Sequence, residues 1–197
     1  MPLTRDETRG SGLAVAVDLV NIWDELYAES DLIEGLVDVR TWLEWHGLTT
    51  AAAQLGERDV DAVRQLRARL DRVFDATGED EAAVLLNELV RDYGTPPRLE
   101  RAGNAWRVRT WPEEGEGLPA VAAYAAAGLQ EAFHRLGWKR FGRCVGSPCR
   151  CAYVDRSRNR TRRYCCSLCA DRVAQAQFRA RRKGAPPPRR EARRAGS

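Results

Sequence analysis

All six cysteines of the chain lie between Cys144 and Cys169, inside a stretch that reads CVGSPCRCAYVDRSRNRTRRYCCSLCADRVAQAQFRARRK and ends at Lys183. They form two clusters, Cys144, Cys149 and Cys151, then Cys165, Cys166 and Cys169, with a spacer of hairpin length between them. Zinc takes four sulfur or nitrogen ligands in a tetrahedron and has no geometric preference of its own, so thiolate pairs closing across such a spacer suit a structural site. Gly146, Ser147 and Pro148 favour a tight turn that aims the first pair of sulfurs at one point. The stretch is too polar to build a core unaided. A bound ion would give it a fixed shape.

Charge divides the chain at the same place. Residues 137–197 hold 18 Lys+Arg against 3 Asp+Glu, and residues 1–136 hold 14 against 25, so the net charge of +4 conceals halves of opposite sign. A basic half beside an acidic one points to a polyanion partner, with the acidic part shielding the basic one from indiscriminate binding. No apolar run reaches the ~18 residues of a membrane span, and Leu13 to Val17 is too short and too late for a secretory signal. These features predict a cytoplasmic protein with no membrane partner, in which clustered cysteines are metal ligands or redox thiols rather than disulfides.

Taken in order, residues 1–12 read as a loose terminus. Leu13 to Val17 suits a buried strand, while Asp18 to Tyr27 could continue as helix, so this run stays open between the two. Asp38 to His46 reads as a short helix capped by Asp38 and stopped by Gly47. From Asp59 to about Ala76, Val60, Val63, Leu66, Leu70, Val73 and Phe74 recur at helical spacing, and a second helix is expected from about Asp80 to Tyr93. Leu99 to Ala102 and Ala105 to Trp111 alternate about Gly103 and Asn104 as a hairpin. Pro112 to Gly117 reads as an acidic loop, and a third helix runs from near Pro119 to Leu136 before Gly137. In the cysteine stretch, Ala152 to Asp155 and Thr161 to Tyr164 are expected as paired strands around a turn at Arg156 to Arg160, followed by a helix from about Leu168 to Arg182. Residues 184–197 read as a disordered basic tail.

Several residues of the cysteine stretch carry a resemblance: Cys144, Cys149, Tyr153, Asp155, Ser157, Arg158, Asn159, Arg162, Arg163, Tyr164, Cys165 and Cys169. In this order they are similar to the bacterial CGNR-type zinc finger, although Cys169-Ala170-Asp171-Arg172 stands where Cys-Gly-Asn-Arg would. The N-terminal LAVAVDLVN followed by helices and a hairpin resembles the ABATE domain that precedes this finger. The resemblance implies a treble-clef-like finger with Zn2+ as structural cofactor, and a stress-responsive transcription regulator. It picks Cys144, Cys149, Cys165 and Cys169 as ligands, with Cys151 and Cys166 as spares, whereas the commoner two-residue spacing would pair Cys166 with Cys169.

The expected architecture is thus α+β: a mostly helical domain with a small antiparallel hairpin over residues 13–137, then a finger over 138–183. Arg156, Arg158, Asn159 and Arg160 fall in the expected turn and Arg162 and Arg163 beyond it, while Arg172, Gln175, Arg179, Arg182 and Lys183 share one side of the last helix. A helix presenting arginines and a glutamine can read base edges, and turn arginines can fix register on phosphates, so DNA is the expected partner. Val173, Ala176 and Ala180 would pack back on the finger. The alternative is an adaptor whose basic helix grips an acidic protein. Asp18, Asn21, Trp23 and Trp42, with Trp45 and Trp106, are the candidates for a small-molecule effector pocket. Catalysis is not expected. The only histidines, His46 and His134, lie far from the cysteines in sequence, no H-x-E occurs, and four thiolates leave zinc no open position for water.

Overall fold

The computed structural model describes residues 10–22, 35–109 and 117–182. Trp23, Lys183 and the expected loop at 112–116 and tail at 184–197 lie outside them.

The open question at the N-terminus resolves as helix. α1 (Gly12–Asn21) is buried at all ten positions, and Ser11 caps it by accepting from the Ala14 N–H. A helix buried all round has no polar face, so its period of 3.6 is invisible in the sequence. α2 (Leu36–Trp45) begins at Gly35, whose N–H donates to the Asp38 carboxylate at 3.0 Å, so Asp38 ties down the first turn from inside rather than from the cap position. α3 (Thr49–Gln54) is short. α4 (Val60–Asp75) and α5 (Glu79–Tyr93) follow their apolar stripes, and α6 (Gly117–Leu136) ends where Gly137 takes φ +79°.

α1 crosses α6 with backbones nearly touching. A Cβ on Gly128 would lie 2.1 Å from the Leu13 nitrogen, and one on Gly12 would lie 2.1 Å from the Tyr124 carbonyl oxygen. α4, α5 and α6 close the core around Leu19, Leu66, Leu70, Leu86, Leu89 and Leu129, each at most 2 % exposed. Between α5 and α6, β1 (Arg98–Ala102) and β2 (Ala105–Arg109) pair antiparallel with Leu99 opposite Val108 and Arg101 opposite Trp106.

The cysteine stretch does not sit apart from this body. β3 (Phe141–Arg143) and β4 (Ala152–Val154) pair antiparallel, and Ala152 and Val154 belong to the same core as α1 and α4. Phe141 packs on Phe74, Phe133 and Trp138 at ring-centroid distances of 5.6, 6.2 and 5.6 Å. Asn21 meets Ala152 twice: its Nδ2 donates to the Ala152 carbonyl at 2.9 Å and its Oδ1 accepts from the Ala152 N–H at 2.7 Å. The side-chain amide thus stands in for a third strand along the outer edge of β4, where unpaired backbone would otherwise be buried. Arg143 reaches the other way, with its guanidinium 2.8 Å from Asp71 and 2.9 Å from Asp75.

Candidate metal centre and basic surface

β3 and β4 flank the first cysteine pair. The Cys144 N–H donates to the Cys151 carbonyl and the Cys149 N–H to that of Gly146, both at 2.9 Å, which folds residues 144–151 into a knuckle at the end of the strand pair. The second pair arrives on α7 (Ser167–Arg182), with Cys165 just before it and Cys169 in its first turn. The strand pair is therefore β3 with β4, and Thr161 to Tyr164 is not the returning strand the alternation suggested. Its backbone is engaged elsewhere: the Arg162 N–H donates to Asp155, the Arg162 carbonyl accepts from the Tyr153 hydroxyl at 2.8 Å, and the Arg163 carbonyl accepts from the Val145 N–H at 3.0 Å.

One sulfur each from Cys144, Cys149, Cys165 and Cys169 lies within 4.8 Å of every other. The Cys149 and Cys165 sulfurs are 3.6 Å apart, as are those of Cys165 and Cys169. A tetrahedron with zinc–sulfur bonds of about 2.3 Å has edges of about 3.8 Å, so the four sulfurs are spaced for that ion and too far apart for disulfides. The electrostatics of the four thiols point the same way. Contacts from Cys144, Cys151 and Cys165 hold the Cys149 thiol well below its ordinary pKa, those from Cys144, Cys149 and Cys151 drive Cys165 well above it, and burial foremost pushes Cys169 up to about 12. Without a cation these sulfurs cannot all ionise together, and a dication removes the conflict. Cys144, Cys149, Cys165 and Cys169 are the four residues that would hold a structural zinc ion. Cys151 is buried beside the cluster but outside the four, and the Cys166 sulfur lies 3.8 Å from that of Cys165.

Asp155 and two arginines set the finger around the four sulfurs. The Asp155 carboxylate accepts from the backbone N–H groups of Ser157 at 2.8 Å and Arg162 at 2.9 Å, closing the turn between β4 and the second cysteine pair. Burial works against its charge, but the Ser157 hydroxyl, those two N–H groups and the nearby Arg140 guanidinium hold its carboxyl below the usual carboxylate range. Arg162 lies 5.0 Å over the Tyr153 ring and donates to the carbonyls of Tyr164 and Cys165, so it serves the finger's interior rather than its outer basic surface. Arg172 likewise donates to the Gly146 carbonyl in the first knuckle and lies 3.8 Å from the Cys169 sulfur. The arginine that survives from the altered tetrad thus clamps one knuckle to the other beside a ligand.

The other basic residues form the outer surface. Arg156, Arg158, Asn159 and Arg160 are exposed in the turn, Arg163 is half-buried, and Gln175, Arg179 and Arg182 are exposed on one side of α7. Arg163 borders an open groove of 420 Å³ between Thr161, Tyr164, Cys166 and the start of α7. Arg143 and Arg150 face acidic residues of α4. Cys169 is the only buried residue of α7. Ala176 is exposed, and Val173 and Ala180 are half-buried, so the helix stands out from the finger instead of packing along it.

The proposed effector residues are engaged within the fold. The Asp18 carboxylate lies 3.2 Å from His46 Nε2, both side chains at most 3 % exposed, and Trp42 packs edge-on against His46. Asn21 is committed to Ala152. That role could have been read from sequence only by knowing that β4 ends up beside α1. Trp106 stands on the exposed hairpin and Trp45 is 38 % exposed.

A mostly helical core, joined by β4 of a cysteine-rich finger that is basic on its outer surface, defines a zinc-finger protein. The chain belongs to the ABATE family, described as "putative stress-induced transcription regulator", whose model matches residues 13–132. A CGNR zinc finger model matches residues 140–182. No curated protein matches the chain. No described helix is long and apolar enough to cross a membrane.

Proposed function

We propose that this protein is a DNA-binding transcription regulator in which zinc fixes the finger, α7 enters a groove of the duplex, and the turn at 156–160 lies along the phosphates. The observation that carries this reading is the projection of α7. Beyond its first turn none of its residues is fully buried, while Gln175, Arg179 and Arg182 share one exposed side, the arrangement that base-edge contacts require. The exposed turn arginines and Arg163, beside the N-terminal end of the helix, supply the positive field for phosphates. The chemistry is binding alone: four sulfurs leave no open coordination position. Small-molecule sensing by the body belongs to the same proposal, with a cavity of 340 Å³ between Asn21, Arg67, Arg143 and Cys151, at the seam of body and finger, as its place.

Fluorescence anisotropy of zinc-loaded protein on a selected duplex tests it. Four arginines on phosphates, Arg156, Arg158, Arg160 and Arg163, give a log K against log[salt] slope of about −3.6. Arg179→Ala should weaken the selected site more than a scrambled one, whereas Arg158→Ala should weaken both alike. A flat salt dependence would exclude the reading and favour the adaptor alternative, in which the same helix grips an acidic protein.

A further inference from the structure

Among the described residues, none from the hairpin between α5 and α6 belongs to the core or to the cysteine cluster. All of its ten strand residues but Glu100 and Arg109 are exposed, and neither strand has another described neighbour in its sheet. The register puts Leu99, Arg101, Trp106 and Val108 on one face, with Leu99, Trp106 and Val108 at 70, 61 and 58 % exposure and the Arg101 guanidinium 4.8 Å over the Trp106 ring. On the opposite face Glu100 pairs with Arg107 and Arg109. A lone two-stranded hairpin is marginal in water, and an aromatic, two aliphatics and an arginine on one bare face have the composition of an interface centre.

Charge selects the occupant. The segment from Arg98 to Arg109 holds four arginines and one glutamate, whereas the rest of residues 1–136 holds 10 Lys+Arg against 24 Asp+Glu. The basic hairpin is therefore an island in an acidic body, and Arg101 is the arginine that its apolar face presents. The adjoining helix offers its complement: on the outer side of α5, Val84 is 56 % exposed and is flanked by Asp80, Glu81 and Glu88. Nucleic acid would satisfy the arginines but leave Leu99 and Val108 without an apolar partner. A second copy of the chain satisfies both.

We propose that this chain forms a two-fold dimer in which the Leu99–Trp106–Val108 face of each hairpin docks on the Val84 side of α5 of the other copy. Hairpin and helix are joined by only Gly94 to Pro97, so one isologous contact brings both halves of the interface together. Two-fold symmetry would also present two fingers to two half-sites.

Sedimentation equilibrium of the full-length, zinc-loaded protein tests this, with circular dichroism and zinc content as controls on folding. The wild type should dimerise, and Trp106→Ser should raise the dimer dissociation constant by about 30-fold or more. Val84→Arg, at an exposed position that the fold does not need, should do the same by setting a cation against Arg101. A monomeric wild type, covering the face within one chain or not at all, would overturn the proposal. So would a Trp106→Ser protein that still dimerises but loses DNA affinity, which would assign the hairpin to nucleic acid, or a Val84→Arg protein that dimerises normally.

Discussion

Asp155 shows how much one side chain can carry here. Its two carboxylate oxygens go to the backbone N–H groups of Ser157 and Arg162. Hydrogen bonds to a charged acceptor contribute about 1.5–3 kcal/mol, so Asp155→Ala should destabilise the finger by about 2 kcal/mol in denaturant unfolding. Because the folded-state pKa is depressed, that contribution is present above the unfolded value of about 3.9 and is lost as pH falls through the lower folded one. The wild type should therefore lose its advantage over Asp155→Ala below about pH 4. At the same scale, the four ligands were legible because thiol chemistry is local. The duties of Arg162 and Arg172 were not, since a guanidinium that donates inward to carbonyls looks the same in a sequence as one facing solvent.

Elements with one wet face were legible and those without were not. α4 and α5 announced themselves through stripes bounded by charge, and their observed ends fall within a residue or so of the expected ones. α1, buried on every side, could not be told from a strand. The strand at 161–164 failed for a different reason: alternation of side chains says nothing about whether the backbone has a partner, and here side-chain and knuckle groups claim it first. What no periodicity shows is the crossing of α1 with α6. A methyl group on Gly128 would meet the Leu13 nitrogen at 2.1 Å and the helices would have to separate. Gly128→Ala should lower stability by about 3 kcal/mol, readable as a shift in the urea midpoint, although alanine is the better helix former.

At the scale of the molecule, body and finger are one packed unit with a polar seam. Sequence places their charges at opposite poles but cannot show that Ala152 and Val154 enter the body's core or that Asn21 borders β4. Asn21→Leu strands a buried N–H and carbonyl of Ala152, at about 1–3 kcal/mol for each group, and hydrogen exchange should show the finger's amides opening ahead of the body's. Arg143 contributes to the same seam through Asp71 and Asp75 at its rim. The seam positions the finger, but the ion inside it holds α7 to the knuckle of β3 and β4. The most direct test is zinc counted per chain in protein purified without chelator, for the wild type, Cys144→Ser and Cys151→Ser. The expected counts are one, none retained through dialysis, and one. A wild type without zinc, or a Cys144→Ser protein that keeps a full complement while Cys151→Ser loses it, would contradict the four-sulfur centre described here.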